Sequence, residues 1–398
     1  MRKPRLTNRD WLIVALTGIL LVVGAAFVHS ASYRSGPMGE GYYTTSPLKQ
    51  LQWIAIGVVL FAGVLFVNYR HFLEHAYAFY AVGLGVLVLV LFFGVHSPAI
   101  QARRWFALGS VRVQPSEFMK LVVIITLARY LMHRESHRRF LGLLPPFALA
   151  LVPMALIAKE PDLGTALVLL PVAFAMLYAA AARAKHLWLI VVLGLACLPV
   201  LWVGMRPYQK ERVLSFLHQE DPHRRYDSYQ LRQAKIGIGS GGLFGKGWEK
   251  GTHQRLNYIP AKTRNNDFIF AVICEEWGFV GANALLALYL ALFALCLRTA
   301  EEVHHPGGRL IVVGVVTMLG TQAIVNTAMA TGQLPVVGLT LPLISYGGSS
   351  LLASLLGLAL VVNVSVYRGI ALAGDELDPE AEARRASAPL PEESFMGD

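Results

Sequence analysis

Ten apolar stretches, each close to the length a helix needs to cross a bilayer, constrain this chain more than any other feature. A hydrocarbon core takes about 20 mostly apolar residues per helix. Segments 11–29, 51–68, 77–95, 116–132, 142–158, 163–182, 187–205, 268–297, 309–330 and 348–367 meet that requirement. Of the 398 residues, 55% are hydrophobic and 15% charged, against about 25% charged in a soluble domain. The sequence therefore predicts an all-α integral membrane protein with ten transmembrane helices. Residues 1–10 precede a membrane domain over 11–370. The stretch 371–398 is acidic and rich in Ala, Ser and Pro, and reads as a disordered tail. The first apolar stretch follows Arg2, Lys3, Arg5 and Arg9, but it is too long for a signal peptide. Cys197, Cys274 and Cys296 sit in apolar runs with no CxxC pair or Cys/His spacing, which argues against a zinc site and excludes a disulfide framework.

Lys and Arg accumulate in cytoplasmic loops. With the N-terminus inside, fourteen of them fall in inside segments and six in short outside loops: Arg34, Lys49, Arg103, Arg104, Arg112 and Lys159. Both termini are then cytoplasmic. Residues 206–266, between spans seven and eight, form a large extracytoplasmic loop with twelve Lys/Arg against five Asp/Glu, a net of +7. A loop this long is usually functional. Two readings stand for its charge: attraction to anionic membrane lipids, or a surface for a phosphate-bearing lipid substrate. Most of the chain's net charge of +10 is placed this way, so no nucleic-acid partner is expected.

Three acids begin even-numbered spans and so share the outer face: Glu117, Asp162 and Asp267. Asp162 suits a helix N-cap. Glu117 stands one turn from Lys120, a pair that either neutralises itself or builds a polar site. Asp267 follows the basic loop and leads into Phe268-Ile269-Phe270, where a general base could meet a headgroup-level hydroxyl. Glu275 and Glu276 fall about 12–14 Å deeper at helical rise, which points to pairing inside the bundle. Gly239 to Gly247 lacks the Walker A spacing and reads as a flexible turn. Non-helical backbone over Pro335–Ser350 survives at this depth only where protein or water covers it, which predicts a loop folded over the bundle.

Several separate pieces resemble the SEDS family, the RodA/FtsW group of peptidoglycan glycosyltransferases, over about residues 10–370. They are Ala102-Arg103-Arg104-Trp105, Gln114-Pro115-Ser116-Glu117-Phe118-Met119-Lys120, Glu160-Pro161-Asp162-Leu163-Gly164-Thr165-Ala166, Gln233 through Gly247, Asp267-Phe268-Ile269-Phe270 with Glu275-Glu276, and Leu341-Pro342 through Ser345-Tyr346-Gly347-Gly348-Ser349-Ser350. The resemblance implies ten helices, polymerisation of lipid II on the outer face of the bacterial cytoplasmic membrane, and an essential acid at Asp267. Glu117, Lys120, Asp162, Ser345 and Ser349 fall in its other motifs. It implies as partner a single-pass class B penicillin-binding transpeptidase, with the choice between elongation and division open. Where the family reads Leu-Pro-Glu-x-His-Thr/Asn-Asp, this chain has Ile259-Pro260-Ala261-Lys262-Thr263-Arg264-Asn265-Asn266-Asp267. The approach to Asp267 is altered and gains Lys262 and Arg264.

In the expected reaction Asp267 accepts a proton from the acceptor hydroxyl. Positive groups stabilise the departing pyrophosphate, and displacement in one step inverts the anomeric centre. Arg103, Arg104, Lys120 and a divalent cation such as Mg2+ or Mn2+ are candidates for that stabilisation, and the two arginines could equally be headgroup anchors. The rival readings are a lipid II flippase, which should keep its charges near the midplane and show inverted repeats, and a scaffold that only recruits a partner.

Overall fold

The computed structural model describes residues 6–35, 41–43, 46–97, 102–109, 111–134, 139–205, 207–217, 227–252, 256, 258 and 261–368. The expectations for Arg2, Lys3, Arg5, Arg138 and the tail 371–398 fall outside these residues, as do those for the side chains of Arg34 and Lys262. The fold is mostly helical. In chain order the helices are α1 (Asn8–Ala31), α2 (Ser46–Leu65), α3 (Tyr69–Glu74), α4 (Ala76–Phe93), α5 (Pro115–Met132), α6 (Leu144–Lys159), α7 (Leu163–Ala179), α8 (Ala184–Ala196), α9 (Leu198–Gly204), α10 (Pro207–Leu217), α11 (Asp227–Ser240), α12 (Ala261–Asn266), α13 (Ile269–Glu302), α14 (Pro306–Ala330) and α15 (Gly348–Tyr367).

Each predicted stretch holds a helix, and among the described residues seven helices are long and apolar enough to cross a membrane. The other three stretches differ for visible reasons. α5 carries Glu117, Lys120 and Arg129, α7 is a turn shorter, and the seventh stretch breaks at Cys197 before Pro199 restarts it as α9.

The expectation of a purely α fold needs correction. β1 (Tyr33–Ser35) pairs antiparallel with β2 (Gly41–Tyr43). β3 (Val95–Ser97), β4 (Ala102–Leu108) and β5 (Val111–Val113) form a second antiparallel sheet. Strands of three to seven residues inside connections are too short to leave a period-2 signal.

α14 and α15 form the centre. α15 packs along α2, and α14 touches α5, α7 and α13. The outer faces of α2 and α4 expose Val58, Val59, Phe66, Val82, Phe92 and Phe93. In water such a belt would drive aggregation. In a bilayer it is the surface lipid requires, and the chain is a multi-pass membrane protein. At one end, Glu302 receives Arg9 at 2.6 Å and also Arg368. That joins the start of α1 to the ends of α13 and α15.

Candidate active site at the Asp267 end

Asp267 sits in the turn between α12 and α13, partly exposed. Its amide donates to the Thr263 carbonyl at 2.9 Å, closing α12. Asn326, near the end of α14, donates its side-chain amide to the Asp267 carbonyl at 3.0 Å and to that of Leu339 at 2.6 Å. One NH2 group thus pins the acid's backbone to the last loop. The Asp267 carboxylate faces Gly338, where an added Cβ would lie 3.8 Å from Oδ2. Gly338 has φ +77, a conformation glycine adopts without strain.

The 335–347 loop folds over the bundle as expected, with Leu339, Leu341, Leu343, Ile344 and Ser345 buried. Ser345 Oγ donates to the Asn266 carbonyl at 2.6 Å and accepts from the Leu341 amide at 2.8 Å. The Tyr346 amide donates to the Asn265 carbonyl at 2.9 Å. Ser345 therefore acts on Asp267 through its neighbour's backbone. The loop leads into α15, where Ser349 Oγ accepts from the Gln114 amide at 2.9 Å.

Gln114 ties in the next acid. Its side-chain amide donates to Asp162 Oδ2 at 2.7 Å and to Ser116 Oγ at 3.0 Å. Asp162 also caps α7, its Oδ1 accepting from the Thr165 amide at 3.4 Å. The capping expectation is met, and the cap is also one node of a buried polar network. One turn on, Lys120 Nζ stands 2.9 Å from Glu117 Oε2, with Lys120 fully buried. The same loop thus links Asp267, Ser345 and Ser349 through Gln114 to Asp162, and Glu117–Lys120 lie in the first two turns of α5.

The arginines take other positions. Arg104 donates through Nε to the Glu160 carbonyl at 2.8 Å and through its terminal nitrogen to the Pro161 carbonyl. It holds the α6–α7 turn. Arg103 is exposed and donates to the Phe92 carbonyl. Neither meets Asp267 through a hydrogen bond or ion pair among the described residues. Arg264 corrects an expectation more sharply: it is 1% exposed, and its Nε and Nη2 donate to the Ala31 and Tyr33 carbonyls at 2.8 and 2.9 Å. Asn265 reaches Ser32 Oγ at 3.0 Å. The altered approach puts its new arginine on backbone carbonyls at and just past the end of α1.

Glu275 and Glu276 pair, as expected, but Glu275 does so with the 241–252 segment and Glu276 with the end of α1. Glu275 Oε1 accepts from Lys246 Nζ at 2.7 Å and from the Thr252 amide at 2.9 Å. Glu276 accepts from Ser30 Oγ. Arg264 and Glu276 both reach the last turn of α1, so the chain between them crosses the end of that helix. Two residues past Glu276, α13 breaks at Gly278 (φ 66, ψ −164).

The glycine-rich turn fits into that break. The Lys246 and Gly247 amides donate to the Glu275 and Glu276 carbonyls, each at 3.0 Å, and the Phe279 and Val280 amides donate to Gly242 and Leu243. A Cβ on Gly241 or Gly245 would lie 2.0 Å from a carbonyl oxygen. The turn is clamped, not flexible.

Buried Glu160 has no hydrogen-bond partner for either carboxylate oxygen. Burial, and then the charge of Asp162, push its carboxyl up to about 8 against the pull of Arg104. Glu160, Asn326 and Gln114 complete the site. An asparagine inside the ninth apolar stretch is the signal that could have marked Asn326. Among the described residues no three metal-ligating side chains converge here, and both Asp162 oxygens are held by protein donors. The residues present do not by themselves build a cage for Mg2+ or Mn2+.

A family model described as "Cell cycle protein", covering FtsW, RodA and SpoVE, matches residues 10–369. The chain is 33% identical to Stage V sporulation protein E of Bacillus subtilis, over 91% of this chain and 98% of that protein. It is 36% identical to Peptidoglycan glycosyltransferase MrdB of Escherichia coli, over 88% and 91%. A solved chain from a peptidoglycan synthase complex that coordinates polymerization and crosslinking superposes with a TM-score of 0.76 at 34% identity, covering 91% and 98%. The rod-shape-determining protein RodA of Thermus thermophilus superposes at 0.65 and 32%, with the same coverage. This chain belongs to the SEDS family of FtsW, RodA and SpoVE proteins.

Proposed function

We propose that the chain is a peptidoglycan glycosyltransferase that polymerises lipid II, with Asp267 as the general base. The observation that carries this reading is a contrast in burial. Glu117, Glu160, Asp162, Glu275 and Glu276 are buried, while Asp267 alone among these acids at its end of the bundle stays partly open. A base must come within hydrogen-bond reach of the hydroxyl it deprotonates. Asp267 would take the proton of an acceptor sugar hydroxyl as that oxygen attacks the anomeric carbon of the donor. The carbon–oxygen bond to the pyrophosphate breaks, and the leaving group carries away the negative charge. The basic residues of 206–266 and exposed Arg103 supply positive charge for it. Asn326, Ser345 and Gly338 fix the acid's position before substrate arrives.

The reading includes ten spans, both termini cytoplasmic, 206–266 outside, and the bacterial inner membrane as location. It also includes a class B penicillin-binding transpeptidase as partner, in keeping with the synthase complex to which the fold is similar. A lipid II flippase would rest on midplane charges. Here the polar network gathers on the loop beside Asp267, and that favours the enzyme.

The test is polymerisation of purified lipid II by the detergent-purified chain, alone and with its transpeptidase. Asp267→Asn should keep its thermal transition and form no glycan. Polymer formation near the wild-type rate would sink the assignment. Lipid II translocation without polymerisation by the intact chain would favour the flippase.

A further inference from the structure

The opposite end of the bundle carries a second cluster of chemistry-bearing residues. The turn between α2 and α4 reads Tyr69-Arg70-His71-Phe72-Leu73-Glu74-His75. The first six of these residues form α3. Its place at the Arg9–Glu302–Arg368 end follows from its neighbours. The Tyr69 amide donates to Asn363 Oδ1 at 2.8 Å, and the Tyr69 ring lies 5.8 Å from that of His305, three residues past Glu302. Asp267 and its network are at the other end of α14.

His71, Glu74 and His75 are spaced i, i+3 and i+4, which puts them on one helix face. Tyr69 and Leu73 turn inward and are buried, which leaves this face outward. His71 is 68% and Glu74 55% exposed at the side chain. His71 Nδ1 lies 3.1 Å from Glu74 Oε2, and the two imidazole centroids are 5.1 Å apart. One ligand atom from each residue can be chosen so that all three lie within 4.8 Å of one another.

We propose that His71, Glu74 and His75 bind one first-row divalent cation of the Zn2+ class, at the junction of α3 and α4. Two features favour a metal over a plain i,i+3 ion pair. The first is the state of His75. Its Nδ1 lies 3.0 Å from the His71 carbonyl. A carbonyl only accepts, so Nδ1 is the donor in this contact and Nε2 is the ring nitrogen left for a metal. That arrangement, a ring fixed by a backbone carbonyl through the nitrogen that does not ligate, is typical of metal-bound imidazole. The second is composition. Two imidazoles and a carboxylate form the His2Glu donor set of three-ligand zinc sites, with a fourth position for water. Tetrahedral bonds of about 2.0–2.1 Å place ligand atoms about 3.3 Å apart. Exposed side chains close the remaining gap by small rotamer changes.

His75 is also the joint of this turn. It ends α3 and precedes α4 with φ −95 and ψ 12, and no side chain caps the α4 N-terminus. A cation held by His71 and Glu74 on one side and His75 on the other would fix the angle between the two helices.

The experiment uses the full chain, purified in detergent through a tag free of histidine and reconstituted without chelator. Zn2+ is titrated in competition with a chromogenic chelator, and Co2+ serves as the optical probe. The expected result is one metal per chain and visible Co2+ bands. Loss of one ligand, in His75→Ala or Glu74→Gln, should weaken binding roughly 10–100-fold. His304→Ala serves as the control and should bind like wild type. Because the cluster is exposed, its variants should elute and melt like the parent. Binding unchanged in the His71→Ala/His75→Ala variant, or absent from the wild type, overturns the proposal.

Discussion

Lys120 and Glu117 form a fully paired ion pair inside the protein, and their two readings separate experimentally. Lys120→Ala strands the Glu117 carboxylate and should cost about 3–5 kcal/mol of stability. Replacing both partners, Glu117→Gln with Lys120→Met, should recover most of that in thermal unfolding. A double variant that is stable yet inactive on lipid II assigns the pair to the site. Recovery of both stability and activity assigns it to packing alone. Glu160 gives a different signature. Its carboxyl, pushed from 4.5 up to about 8, holds a proton in the fold that the unfolded chain has released. Stability from this group is therefore full below pH about 4.5 and is lost as pH rises through about 8. Glu160→Gln should flatten that fall and raise the melting temperature at pH above neutrality, as measured in detergent across a pH series. A steeper fall in the variant would overturn the account.

At the scale of elements, the broken helix α13 organises the Asp267 end. Gly278 turns the chain, and the 241–247 turn supplies amides and carbonyls to the ends that the break exposes. Gly245 has φ +78 and no room for a side chain, because a Cβ would meet the Glu276 carbonyl at 2.0 Å. Gly245→Ala should cost at least about 1–3 kcal/mol and lower activity by loosening the segment that carries Asp267. A variant with wild-type melting and activity would refute this clamp. The glycines themselves were legible in the sequence, but their partner was not. Nothing local says that residues 241–247 bond to residues 275–280, because backbone hydrogen bonds leave no residue signature. Arg264 teaches the same lesson. The sequence places it in the altered approach to Asp267, and only the nearness of the α1 C-terminus shows what it holds.

Across the whole molecule, the polarity of the two ends differs. One end gathers buried polar groups around Asp267. The other is tied by partly exposed ions, with Glu302 between Arg9 and Arg368. The Arg9 hydrogen bond first, and the charges of both arginines after it, hold the Glu302 carboxyl below its usual range. The stability it contributes is present above its ordinary value of 4.5 and is lost as pH falls through the lowered one. Glu302→Gln should cost only roughly a few tenths of a kcal/mol, and less at high salt, because exposed pairs are screened. A large, salt-independent drop in melting temperature would contradict this.

The helical class, the positions of the apolar stretches, the family and the acids worth testing are all legible along the chain. Each of these follows from composition or spacing along one chain. Apolar length is a local property, and so is an acid at the start of a span. Which acids are buried and which stays open emerges only from how the helices pack. The tertiary structure also decided that Asn326 and Ser345 hold the backbone at Asp267, and that Glu275 and Glu276 meet residues from α1 and the long loop. Those facts depend on contacts between segments tens to hundreds of residues apart. There the hydrogen-bond demands of a helix end or a broken helix are met by whatever packing brings near.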